Sequence, residues 1–166
     1  MAVPVSPVAG AMADKALWDA EVYDKWTDVY AGWTPYTPVW SCSATAPNLG
    51  NGSLTGAYKA IGKTVEFRIR FVAGSSTAFG DGLWSFSLPQ GYAPTAVQSA
   101  PGIAINGAAS VRWPLACWLS TGTGVFRMCV NGTGGIRTNA GTPANSSPFQ
   151  WSNSAQVVLG GVYEAS

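Results

Sequence analysis

The sequence predicts a mainly β protein, an antiparallel β-sandwich or jelly roll of about eight strands with one N-terminal amphipathic helix. Three observations lead to this prediction. Residues 64–72 alternate between apolar and polar side chains, as a half-buried strand does. Short apolar runs separated by turn sequences occupy most of the chain from residue 39 onward. Before these runs, apolar residues recur at helical spacing between residues 14 and 32.

A loose leader at residues 2–13, rich in Ala, Val and Pro, precedes the predicted helix at residues 14–32. Asp14 is a suitable N-cap and Gly32 a suitable C-terminal stop. The helix carries most of the acidic residues of the chain, so the remainder is basic. Five apolar residues at spacings of four, four, three and four form one stripe, which is predicted to be an anchor or oligomer interface: Trp18, Val22, Trp26, Val29 and Trp33.

An extended linker is predicted at residues 34–38, because Pro35 and Pro38 exclude both a helix and a central strand. The linker divides the chain into three parts. Residues 1–33 form the leader and helical anchor, residues 34–38 the linker, and residues 39–166 the β-sandwich domain.

The β domain is predicted from apolar runs between turn sequences. Asn-Gly pairs at residues 51, 106 and 131 are the strongest turn signals, and residues 131–154 read as a long loop. The candidate strands lie at residues 39–45, 54–61, 64–72, 84–88, 102–105, 110–119, 125–130 and 156–164.

The strand at residues 64–72 is the most regular stretch of the chain. Its apolar residues share one face, which is expected to pack in the core: Val65, Phe67, Ile69 and Phe71. Its charged residues share the other face, which is expected to meet water or a neighbouring subunit: Glu66, Arg68 and Arg70.

The composition favours a protein that buries part of its surface in an assembly. Charged residues make up 10% of the chain, against about 25% in an average soluble protein. Eight Trp point the same way, because large aromatic side chains are enriched at interface centres. The net charge of +1 provides no field for nucleic acid, which we exclude as a partner. No run of about 18 apolar residues occurs, so we expect no membrane span.

The N-terminal residues lack the Lys or Arg that opens a signal peptide, and prolines interrupt any apolar run, so we expect no export signal. Three cysteines are an odd number, which favours folding in a reducing cytoplasm. In the predicted hairpin Cys117 would face about Phe126, so we expect no disulfide between Cys117 and Cys129.

Catalytic candidates are few, and we expect no enzyme activity. The chain has no His, which removes the commonest general base and the usual zinc ligand. The carboxylates outside the helix are Glu66, Asp81 and Glu164. A glycosidase pair could be drawn from these three. However, Glu66 alternates with arginines and is expected to form cross-strand ion pairs, and Asp81 lies in a turn sequence. No motif indicates a cofactor or a metal.

Exposed aromatic side chains could instead bind a ligand, since sugars stack on flat rings. Trp113 is in phase with Leu115 and Leu119, which places it in the core. Trp118 falls on the opposite side, and Trp151 lies in the predicted loop. Trp118 and Trp151 are therefore the candidate ligand-contacting residues.

Several segments resemble a β domain of minor tail and fibre-like virion proteins of phages that infect actinobacteria. The most specific are LTGAYKAIGKTVEFRIRF at residues 54–71, with its Tyr-x-x-Ile-Gly-Lys-x-Val piece, and GLWSFSLP at residues 82–89. Residues 33–38 (WTPYTP) and residues 17–24 (LWDAEVYD) are similar to segments near the start of such proteins. The resemblance covers roughly the first half of the chain.

The resemblance implies a homotrimeric virion structural protein that is made in the bacterial cytoplasm of the host. It would attach to other virion proteins through residues 1–33 and display a β lobe for contact with the host surface, with a cell-surface glycan as a further expected partner. The family carries no catalytic residues. Two alternatives stay open, a capsid-decoration or head-fibre protein and a carbohydrate-binding module.

Overall fold

The computed structural model describes residues 18–89, 91–107, 111–121, 125–130, 134–135, 137–138 and 147–165; at residues 20, 21, 24, 25 and 125–138 only the backbone is described. The leader, the predicted N-cap Asp14 and the Asn-Gly turn at residue 131 lie outside these residues. The protein is mainly β with one short helix. Within the described part of the chain, no helix has the length and apolar character that crossing a membrane requires.

Within the described residues, the helix ends at Tyr30, two residues before the predicted end. A π-helical turn at Asp19–Tyr23 leads into α1, Asp24–Tyr30, and Ala31 then leaves the helical region with φ −55° and ψ 142°. The chain must become extended at this point because Thr34 already pairs in the sheet. The terminal carbonyl of Val29 accepts a hydrogen bond from Lys59 Nζ, which satisfies one of the carbonyl groups that a helix end leaves without partners.

The described residues form eleven strands after the helix, and all pairings between these strands are antiparallel. They are β1 (Thr34–Tyr36), β2 (Trp40–Cys42), β3 (Ser53–Ile61), β4 (Thr64–Val72), β5 (Gly82–Ser87), β6 (Gln98–Ile105), β7 (Arg112–Leu119), β8 (Val125–Val130), β9 (Gly134–Gly135), β10 (Arg137–Thr138) and β11 (Gln156–Glu164).

These strands form one sheet in the order β1-β3-β4-β11-β6-β7-β8-β5-β10, while β2 pairs with β5 and β9 with β8. Strand β4 lies between β3 and β11 and pairs with both along its whole length. Its faces are as predicted. The apolar residues are almost completely buried, and the charged residues are exposed.

The sheet curves back on itself. In the strand order, β11, β6, β7 and β8 separate β4 from β5, yet the rings of Trp40 on β2 and Trp84 on β5 lie 4.8 and 5.7 Å from the ring of Phe71 on β4. Contacts between such distant strands require the two ends of the sheet to face each other. The space between them holds the hydrophobic core, in which aromatic side chains predominate.

The predicted linker is part of the sheet. Residues 34–36 form β1, which pairs with β3 and places Tyr36 against the core. Proline was correctly excluded from a central strand, but β1 is an edge strand, where a residue without an N–H group is tolerated. The sheet therefore includes residues 34–36 of the predicted linker.

The other strand predictions differ mainly at their ends. The strands at residues 64–72, 125–130 and 156–164 have the predicted bounds. Strand β6 begins at Gln98 and runs through Pro101, which concealed its first half. Two short strands, β9 and β10, lie in the predicted loop. In the β7–β8 hairpin Cys117 faces Met128, two residues away from the predicted register.

Candidate functional site

The predicted anchor lies in the helical segment, which we define as residues 18–33. Trp18 and Trp26 are 57% and 54% exposed, and Val29 is also exposed. Val22 and Trp33 are partly buried. The described part of the chain therefore leaves most of the predicted apolar stripe in contact with water.

Two further aromatic residues extend this surface and were not predicted. Tyr23 and Tyr30 are 63% and 78% exposed. Tyr30 stacks on Trp26, with ring centroids 5.9 Å apart and an interplanar angle of 18°. The spacing of four residues between Trp26 and Tyr30 was a visible signal, since residues four apart are neighbours on a helix.

Two cations of the sheet hold the end of the helical segment. The guanidinium carbon of Arg68 lies 4.6 Å from the centroid of the Trp33 ring, a cation–π contact. Lys59 on β3 donates to the Val29 carbonyl, as basic side chains do at helix C-termini. The arginines of β4 were expected to form ion pairs with Glu66, and no partner was predicted for Lys59. Lys59 is directly opposite Glu66 in the β3–β4 register, but its ammonium group reaches the helix end instead.

The outer face of the sheet, as defined here, consists of the outward residues of β3, β4 and β11 around Arg68 and Arg70. Ala57 and Gly160 flank Arg68 in the register, while Thr55 and Val158 flank Arg70. The face contains a depression of about 400 Å³, and Ala57, Arg68, Arg70 and Val158 are among the residues that line it. Arg70 donates a hydrogen bond of 3.1 Å to the neutral side chain of Gln156.

Trp118, the first candidate ligand-contacting residue, is exposed. It is 52% exposed on the outward side of β7, opposite Ser99 of β6. The two residues line a shallow groove of about 370 Å³, together with Val97 and Ala116. The aromatic ring and the neighbouring hydroxyl are the kinds of groups that hold a sugar.

Trp151 is not available to a ligand, contrary to expectation. It is only 6% exposed, and its ring lies 4.4 Å from the rings of both Trp84 and Phe149. Its indole N–H donates to the Ser147 carbonyl at 3.1 Å. Trp151 is therefore a core residue. Trp113, which was predicted to lie in the core, is only partly buried, and it packs against the core with its ring 4.7 Å from that of Phe149.

Burial raises the pKa values of three ionisable groups near the core. Burial, and secondarily the charge of Asp81, raises the pKa of the Cys42 thiol to about 11. Burial also raises the pKa values of Tyr36 and Tyr163, with a smaller contribution from neighbouring tyrosines. Tyr163 donates to the Tyr92 carbonyl at 2.8 Å. These groups are protonated at neutral pH and act as hydrogen-bond donors.

The three carboxylates outside the helix are not brought together in a cleft. Glu66 and Glu164 are exposed, and Glu164 is opposite Thr64 at the end of β11. Asp81 precedes β5 and accepts a hydrogen bond from the Gly82 N–H at 2.9 Å. Among the residues that the structure describes, no cluster of three His, Cys, Asp or Glu side chains could hold a metal ion.

Comparison with protein-family models, with curated proteins and with solved structures finds no match. The class of protein is therefore argued from the surfaces described above.

Proposed function

We propose that this chain is a structural protein of a phage virion, a homotrimeric minor tail or fibre-like protein. Residues 1–33 attach it to other virion proteins, and the β lobe, residues 34–165, is displayed for contact with the host surface. In this proposal the curved sheet is a β-sandwich or jelly roll. The protein is made in the cytoplasm of the host bacterium, resides in the virion and has no enzyme activity.

One observation carries the proposal, the contrast between a well-packed lobe and a short helical segment that exposes its aromatic side chains. A helix of this length is not stable alone in water, because nucleation is costly. The exposed stripe therefore needs a protein surface to pack against, and the described residues do not provide one. The resemblance of residues 54–71 and 82–89 to virion proteins indicates that sister subunits and other particle proteins supply this surface.

Truncation tests the attachment role. A variant that begins at Thr34 keeps β1 and the whole core, so we expect an unchanged β-type circular dichroism spectrum and a cooperative melt. When this variant replaces the full-length protein, we expect it to be missing from purified particles. Normal incorporation would show that the β lobe itself makes the attachment. The mass of the intact protein in solution should be near three times 17.2 kDa.

Locating the protein on the same particles distinguishes a tail protein from a head protein. Labelled full-length protein at the tail tip or on a fibre supports the proposal, whereas labelling over the capsid supports a decoration or head-fibre protein. Trp118 favours a second candidate function, contact with a cell-surface glycan or a role as a carbohydrate-binding module, because its ring is exposed beside the Ser99 hydroxyl.

A further inference from the structure

The exposed aromatic surface of the helical segment is large enough to be an interface. Its four aromatic residues that are more than half exposed are Trp18, Tyr23, Trp26 and Tyr30. A large aromatic side chain has about 150–250 Å² to bury, so these four leave roughly 500 Å² in contact with water. A patch of that size is at the upper end of what a soluble monomer exposes.

The charge of the helical segment indicates what kind of surface can cover it. Its sequence contains Asp19, Glu21, Asp24 and Asp28 against a single basic residue, Lys25. Two such segments laid side by side would bring like charges together, which is unfavourable. The complementary surface should therefore be basic with apolar parts.

The outer face of the sheet has these properties. Lys59, Arg68 and Arg70 outnumber the two acids of the face, Glu66 and Glu164. The exposed Val158 and Val162 provide apolar area. Arg70 makes its hydrogen bond to an uncharged partner, Gln156, so that bond leaves its positive charge without compensation. The depression beside Arg68 and Arg70 has room for aromatic side chains.

The chain itself contains an example of the required contact. Arg68 already holds one tryptophan of the helical segment, Trp33, in a cation–π arrangement at 4.6 Å. The same face can therefore accept another aromatic residue of that segment by the same chemistry, provided that it comes from a different molecule.

We propose that the helical segment of one copy packs on the outer face of a second copy, with the Trp26–Tyr30 stack over the depression and Asp28 beside Arg70. This inference rests on the self-association in the proposed function and specifies the two surfaces that meet. Because the surfaces differ, the contact is head-to-tail, and three copies joined by it form a closed trimer if the rotation between neighbours is 120°. Each copy contributes both a segment and a face, which brings the buried area into the range of a stable interface, about 800 Å² per partner.

Charge reversal tests the pairing by light scattering at several protein concentrations. Asp28→Lys and Arg70→Asp should each weaken self-association by about tenfold or more, because each places like charges together. The double variant Asp28→Lys/Arg70→Asp restores opposite charges and should recover most of the affinity. Lys63→Glu, at an exposed position in the β3–β4 turn, is the matched control and should leave the mass unchanged.

The outcomes separate this inference from the proposed function. If the unaltered protein has the mass of one copy, 17.2 kDa, the self-association in the proposed function is wrong. If the unaltered protein is oligomeric and Arg70→Asp keeps its mass, only the outer-face contact is wrong. Stronger association of Asp28→Lys alone would also overturn the inference, since it would indicate that acidic segments pair with each other. Circular dichroism of each variant verifies that the fold is retained.

Discussion

The helical segment and the β lobe place tryptophan in opposite surroundings, exposed in the segment and buried in the lobe. Trp84 of the lobe is completely buried and touches the rings of Trp40 and Trp151 at 4.7 and 4.4 Å. Trp26 of the segment is more than half exposed, and its ring stacks on a single neighbour, Tyr30. The lobe stabilises itself with its own aromatic side chains, whereas the segment presents its aromatic side chains outward. An apolar stripe in a sequence therefore shows which residues need an apolar surface to pack against. It does not show whether that surface belongs to the same chain.

Replacing one tryptophan in each region with alanine should give the largest difference in unfolding free energy between the two regions. Trp84→Ala removes a fully buried side chain from the aromatic core and should cost about 3–5 kcal/mol of unfolding free energy. Trp26→Ala removes only a stacking contact between residues four apart, worth about 0.2–0.5 kcal/mol. Urea unfolding at concentrations where both proteins are monomeric measures the two values.

Equal losses for the two variants would mean that the segment is buried within its own chain. In that case the exposed stripe would not be an attachment surface. Phe67→Ala on β4 is the control for the core, since Phe67 is buried and should also cost about 3–5 kcal/mol.

Replacing one glycine in each region with alanine tests the same difference in packing, with a smaller expected change in unfolding free energy. Gly56 on β3 lies under the Tyr36 ring, where a methyl group would approach ring atom Cε1 to 2.5 Å. Gly56→Ala should therefore cost about 1–3 kcal/mol, the usual result of overpacking. Gly32, in the helical segment, has no neighbouring atom within 4 Å of an added methyl group. Gly32→Ala should be neutral or stabilise by up to about 1 kcal/mol, because alanine restricts the unfolded chain.

Thermal and urea unfolding of the two glycine variants provide the measurement. Equal destabilisation by both changes would contradict the loose packing of the helical segment. A neutral Gly56→Ala would show that Tyr36 can move aside, although its hydroxyl approaches the Ser87 carbonyl at 3.4 Å.

Local periodicity accounts for what the sequence could predict. The alternation along β4 identified its buried face residue by residue, because successive strand residues point to opposite sides. The helical spacing predicted one stripe because residues three or four apart share a helix face. Trp18, Trp26 and Val29 of that stripe are exposed, whereas Val22 and Trp33 are partly buried.

Long-range contacts account for what the sequence could not predict. Trp151 lies in a stretch without periodicity, and its burial follows from contact with Trp84, which is distant in the chain. The pairing of β11 between β4 and β6 is equally non-local. The role of Arg68 was missed for a related reason, since a strand pattern shows that an arginine faces outward but not which ring it will meet.

The contact between Arg68 and Trp33 joins the two regions, and its expected effect is smaller than that of the core substitutions. A cation–π contact at an exposed site contributes about 0.5–1 kcal/mol. A double-mutant cycle with Arg68→Ser and Trp33→Ala should give a coupling free energy of that size, measured by urea unfolding. Arg70→Ser combined with Trp33→Ala is the matched control and should give none, because Arg70 bonds to Gln156. Zero coupling for Arg68 would mean that the helical segment is held to the lobe only through β1 and the Lys59–Val29 hydrogen bond, so that its orientation on the outer face is set by the partner copy.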